Sequence, residues 1–144
     1  MSYAKWFEKH SKKHKIIVDK LRKQNYTKEQ IIEYFCYENM QKNELDFCPL
    51  YKDNKKCHDM QKLNCYLCAC PNFRFNDDVI KVIDGKKQYS FCDISSKDGE
   101  QGIYGDKIHQ NCTNCSVPHH KSYIEKVFDY DWDIIMIKCQ LKKD

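Results

Sequence analysis

The sequence predicts a small α-rich domain around an irregular, metal-stabilised, cysteine-rich centre, with a short β-hairpin at about 79–92. Three observations predict it. Helical spacing of apolar residues is confined to the two ends of the chain. The middle holds all three prolines, all four glycines and eight of the ten cysteines. Within it, Cys65, Cys68 and Cys70 fall inside six residues, a density that side-chain packing does not ask for. With 144 residues the chain is the size of one domain. Its segments read as a basic helical segment over 1–46, a cysteine-rich metal-binding module over 47–124, and a C-terminal helix over 125–144 that packs on the N-terminal helices in one compact unit.

Hydrophobic residues make up 41% of the chain, but ten of them are cysteines and ten are tyrosines, so ordinary aliphatic packing material is scarce. Neither an export signal nor a run of 18 apolar residues is present, and the expectation is a cytoplasmic protein that does not enter a membrane. In a reducing compartment, ten cysteines point to metal ligands before disulfides. Net charge is +4, and it is uneven. Residues 1–28 carry nine basic groups against Glu8 and Asp19, giving +7, which leaves −3 for the remainder. Such an arm suits either a solvated helix face or an acidic partner.

From Tyr3 to about Lys23, Phe7, Ile17, Val18 and Leu21 fall partly at helical intervals with no Gly or Pro between them, predicting one helix, frayed near His10 to His14. Thr27 with Gln30 three residues on forms a capping box. A second helix follows from Lys28 to about Lys42, with Ile31, Ile32, Phe35 and Met40 as core and Cys36 as a buried structural thiol. Asp84-Gly85, between Val79–Ile83 and Gln88–Phe91, favours a tight hairpin turn, which presents Cys92 at its far end. Residues 95–106 have loop chemistry. Pro118 suits the first turn of a helix. Ile124, Val127, Phe128, Trp132, Ile135, Met136 and Cys139 then continue at three- and four-residue intervals, predicting a C-terminal helix bent at Asp129-Tyr130-Asp131. Its stripe packs on the second helix, with Cys139 in the core.

The chemistry concentrates in Cys48, Cys57, Cys65, Cys68, Cys70, Cys92, Cys112 and Cys115. Cys65-x2-Cys68 and Cys112-x2-Cys115 are chelating pairs of the sort that bind zinc or iron–sulfur clusters, although the 43 residues between them exceed the usual zinc-ribbon linker. An extended Cys68-Ala69-Cys70 points its two sulfurs to opposite sides, so they serve different centres. Cys70-Pro71 at the end of a tight run is similar to the bacterial ferredoxin pattern, one residue out of register. Eight thiols divide into two sets of four, enough for two [4Fe-4S] clusters or two Zn ions. His58 and His119 are further ligand candidates, His119 through Cys115-x3-His119. His10, His14, His109 and His120 are expected at the surface.

Three stretches in order, Cys57-His58, Asn64-Cys65-Tyr66-Leu67-Cys68-Ala69-Cys70-Pro71 and Cys112-Thr113-Asn114-Cys115-Ser116-Val117-Pro118-His119, resemble the cysteine-rich small domain family. The resemblance covers about residues 48–124. It implies a probable metal-binding module, stand-alone or fused to enzymes of cobamide biosynthesis, and it assigns no reaction. Cys48 lies farther from Cys57-His58 than in many members, and the hairpin before Cys92 is an insertion relative to the family.

The sequence therefore points to a cytoplasmic metal-binding protein with two cysteine-ligated centres, iron–sulfur before zinc. Its role is structural, with redox or sensing chemistry open to it and a protein or redox partner. The alternative is a zinc-stabilised nucleic-acid-binding or protein-adaptor module using the basic N-terminal helix, with Tyr3, Trp6, Phe7 and Tyr26 as stacking surfaces. No nucleophile elbow, phosphate loop or paired-carboxylate signature marks an enzyme. Asp129, Asp131 and Asp133 read as a solvated helix end.

Overall fold

The first element is a 21-residue helix, α1 (Tyr3–Lys23), set in a computed structural model that describes residues 2–141. Met1 and the last three residues of the predicted C-terminal segment lie outside the described residues. Ser2 caps α1 by accepting from the Lys5 amide. The Asp77 carboxylate accepts from the Tyr3 and Ala4 amides at 2.8 and 3.1 Å, satisfying two of the donors a helix start leaves free. Lys20, Arg22 and Lys23 fill the last turn, where positive charge complements the helix dipole. The helix is continuous through His10 and His14, and both rings are buried, contrary to the surface position expected from their polarity. Aromatic neighbours explain this. His10 stacks on Trp6 and meets Phe47 and Trp132, while His14 lies between Phe35 and Tyr66.

The capping box at Thr27 and Gln30 is formed, but the predicted second helix is two helices, α2 (Lys28–Tyr34) and α3 (Tyr37–Asn43). The break has a purpose in hydrogen bonding. At Phe35 and Cys36 the chain turns its backbone towards residues 63–65: the Tyr37 amide donates to the Leu63 carbonyl at 2.9 Å, and the Cys65 amide to the Phe35 carbonyl at 2.7 Å. Cys36 is half-buried at this junction.

The middle is far less irregular than expected, and the fold is mixed α/β rather than simply α-rich. Six short strands form two sheets: β1 (Phe73–Phe75) with β4 (Ser90–Cys92), and a four-stranded sheet in the order β2 (Lys81–Ile83), β3 (Lys86–Gln88), β6 (Lys107–Asn111), β5 (Glu100–Tyr104). The predicted hairpin is β2–β3, with Asp84 and Gly85 both at positive φ, 49° and 79°. That is the geometry a two-residue type I′ turn requires. The chain then leaves that sheet, and β4 pairs antiparallel with β1. The expected loop at 95–106 contains β5, which turns through Gly105 (φ 65°) into β6. β3 and β6 run parallel.

The C-terminal helix is also divided. A 3₁₀ turn (Val117–His119) with Pro118 in its first turn is followed by α4 (Lys121–Val127) and α5 (Trp132–Ile135). The break falls at the predicted bend, where Asp131 caps α5 by accepting from the Asp133 amide. α4 packs on α2 as expected, while α5 packs on α1. Ile31, Ile32, Phe35, Met40, Tyr66, Trp132 and Cys139 belong to one core. Among the described residues, 76–123 contribute no buried apolar side chain except Ile108, Cys115 and Pro118, of which Ile108 alone lies in the four-stranded sheet, so that sheet has almost no core of its own.

Candidate metal centres

The secondary structure delivers the thiols. Cys65 is fixed by the α2–α3 break described above. Asn64, buried beside it, gives its side-chain amide to the Ile32 carbonyl at 2.7 Å and accepts from the Tyr66 amide at 2.8 Å. Its backbone amide donates to the His119 carbonyl at 3.2 Å. Its own carbonyl lies 2.9 Å from His119 Nδ1, which selects the tautomer with the proton on Nδ1 and leaves Nε2 as a lone-pair donor. That Nε2 lies 3.7 Å from Cys57 Sγ.

A tetrahedral zinc with ordinary Zn–S and Zn–N bonds separates such a pair by about 3.6 Å, close to this distance, which a thiol–imidazole hydrogen bond also gives. The ligand atoms of Cys57, His58 and His119 all lie within 4.8 Å of one another. His58 bridges outward: Nδ1 is 3.1 Å from Cys57 Sγ and Nε2 is 3.1 Å from the Cys112 carbonyl.

Among the eight candidate thiols, those that act on one another electrostatically fall into two sets, Cys48, Cys57, Cys65 and Cys68 in one and Cys70, Cys92, Cys112 and Cys115 in the other. Cys57 is pushed up to about 11 by burial first, and then by the nearby charges of Cys65 and Cys48. Cys48 is raised by burial and by Cys65. Cys65 and Cys68 are tightly linked: the Cys68 thiol donates to the Cys65 carbonyl at 3.3 Å, and the interaction of the two side chains lowers Cys65 and raises Cys68. Cys48 and Cys57 also raise Cys68.

In the other neighbourhood, Cys112 is pushed up to about 11 by burial and then by Cys115, Cys70 and Cys92. Cys70 is raised by burial, then by Cys92 and Cys115. Thiolates crowded in this way repel one another, and a cation placed among them removes the repulsion. The strands build this second neighbourhood. Pairing of Phe73 with Cys92 brings Cys92 alongside the chain that has just left Cys70, and β6 ends one residue before Cys112. Ser96 Oγ contacts Cys115 Sγ at 3.3 Å.

The second neighbourhood opens on a cavity of about 710 Å³, whose walls include Cys70, Cys92, Cys112 and Cys115 together with Cys68 and His119. Cys48, Cys57 and Cys65 stay outside it, as do Cys36 and Cys139. Burial pushes Cys36 up to about 11 and Cys139 up to about 12, and Cys139 Sγ donates to the Cys70 carbonyl at 3.5 Å. Of the histidines expected at the surface, His120 is exposed, whereas His109 is half-buried with its Nδ1 at 2.6 Å from the Tyr3 hydroxyl.

Three residues beside the thiols carry no sequence motif. The Tyr37 and Tyr51 hydroxyls are buried without a hydrogen-bond partner, and Tyr51 lies against Cys65, whose charge helps raise the phenol. The Gln110 side chain counteracts the upward push on Cys112. The high tyrosine content was the one hint of the phenols. No family model, no curated protein and no solved structure matches this chain.

Proposed function

We propose that this chain is a metal-binding protein with two cysteine-ligated centres. Cys48, Cys57, Cys65 and Cys68 hold one, and Cys70, Cys92, Cys112 and Cys115 hold the other. The observation that supports the reading is that the candidate thiols acting on one another fall into two sets of four, with Cys68 in one and Cys70 in the other, across a chain that bends at Cys68 and Ala69. The composition of each group fits a tetrathiolate [4Fe-4S] cluster without help from histidine, and iron–sulfur is favoured on that ground. Zinc is the second reading, supported at the first centre by the 3.7 Å separation of Cys57 and His119. The resemblance to the cysteine-rich small domain family points the same way.

The centres act structurally, as the crosslinks of a sheet that lacks a core; iron–sulfur occupancy would add electron transfer or sensing. The nucleic-acid alternative is weakened because Tyr3, Phe7 and Tyr26 pack against the core and present no exposed aromatic row beside the basic residues of α1. Purification without oxygen, followed by iron, sulfide and zinc analysis, tests the reading. About eight irons and eight sulfides per chain are expected; about two zincs per chain would select the second reading. A folded protein with no stoichiometric metal would overturn both.

A further inference from the structure

Besides the thiols, the cavity wall carries aromatic side chains from α1 and β1, namely Tyr3, Trp6, Phe7 and Phe73. The rings support one another, with Tyr3 5.4 Å from Phe73 and Trp6 5.4 Å from Phe7. Around the mouth, Trp6 is 38% and Ile94 56% exposed, more apolar surface than a water-filled groove needs. The volume, about 710 Å³, lies in the range of sites for small organic ligands.

Apart from thiols and histidines, the wall carries two charged side chains, Asp77 and Lys107. The Asp77 carboxylate is engaged by the first two amides of α1. Lys107, across the cavity on β6, is in no ion pair among the described residues. It shares a face of β6 with His109, two residues on, and that ring is held by the Tyr3 hydroxyl and stacked on Tyr89.

We propose that this cavity binds a small planar aromatic anion, with its ring against Tyr3, Trp6 and Phe73 and its negative group at Lys107. The rings supply stacking area, and Lys107, the lysine on the wall, sets the sign of the ligand. Such a ligand lies beside Cys70 and Cys112; only this adjacency to the second metal centre rests on the metal reading above.

The test is calorimetric titration of the protein as purified without oxygen, using 2-naphthalenesulfonate as probe and 2-naphthylmethylammonium as its cationic counterpart. Metal content is measured on the same samples. Saturable one-site binding of the sulfonate with Kd below about 1 mM is expected, with the cation about tenfold weaker. Trp6→Ala and Lys107→Gln should each weaken sulfonate binding about tenfold, with circular dichroism and metal content unchanged. Lys5→Gln, on α1 but outside the cavity, should have no effect. A metal-loaded protein that binds no sulfonate, or binding indifferent to both Trp6→Ala and Lys107→Gln, overturns the ligand site and leaves the metal reading standing. A metal-free protein that binds the sulfonate with the expected dependence upholds the site and removes the metal reading.

Discussion

Asn64 and Cys36 face each other across the junction between the helices and the cysteine-rich segment, and they test different parts of the account. The Asn64 side chain satisfies a buried carbonyl at Ile32 and a buried amide at Tyr66. Asn64→Ala leaves both unpaired, and an unsatisfied buried group costs about 1–3 kcal/mol. A loss of roughly 2–4 kcal/mol in urea unfolding is expected, with an unchanged slope against denaturant; a loss below about 1 kcal/mol would show that these bonds are easily replaced. Cys36 is half-buried at the α2–α3 junction, with its sulfur 3.9 Å from the Asn64 side-chain amide, and belongs to neither set of four, so Cys36→Ser should leave metal content unchanged. Loss of metal in that variant would move Cys36 into the first centre.

Helix α1 makes the folded state sensitive to acid. Burial lowers His10 to about 4 and His14 to about 3, from an ordinary value of 6.5. The folded state therefore refuses protons that the unfolded chain accepts. Stability is intact above about pH 6.5 and falls as pH drops towards the folded values. Between pH 6.5 and 5 each ring should cost on the order of 2 kcal/mol, measured by denaturant unfolding at the two pH values. His10→Phe should remove about half of this dependence, and an unchanged dependence in that variant would place its origin elsewhere.

The hairpin offers a second test. Gly85→Val meets no steric obstacle but must adopt φ near +79°, and a loss of about 1–2 kcal/mol is expected by thermal unfolding. No change in the midpoint would mean that the turn had relaxed to another type.

These elements also show what the sequence made legible. The capping box at Thr27 and the turn at Asp84-Gly85 were readable because each depends on local chemistry. The strands were missed because they are three to five residues long, and β2 and β5 expose most of their side chains, so no alternating pattern develops. The α2–α3 break and the burial of His10 and His14 are set by partners more than twenty residues away, beyond the reach of local pattern. For the candidate site, spacing picked out the eight cysteines, and the expectation of two centres rested on an extended Cys68-Ala69-Cys70, where the chain in fact bends. The grouping proposed for them draws on the pairing of β1 with β4 and the course of β6.

Across the whole molecule, buried hydrocarbon is concentrated in the helices and the segment 47–75, while the four-stranded sheet depends on its connections to the sulfur-rich segment. Structural metal can supply about 10–16 kcal/mol of folding free energy, enough to hold a sheet without a core. Metal removal should therefore release amide protection in β2, β3, β5 and β6 before α1 and α2, as read by hydrogen exchange. Simultaneous loss in helices and strands would show that one core holds the whole chain.

The division of labour between Cys68 and Cys70 is the central claim, and metal analysis of Cys68→Ser, Cys70→Ser and the double variant tests it most directly. Each single variant should retain about half of the metal of the parent protein, and the double variant should retain almost none. Single variants that keep all of it, or that each lose all of it while remaining folded, would contradict two separate centres on either side of Ala69.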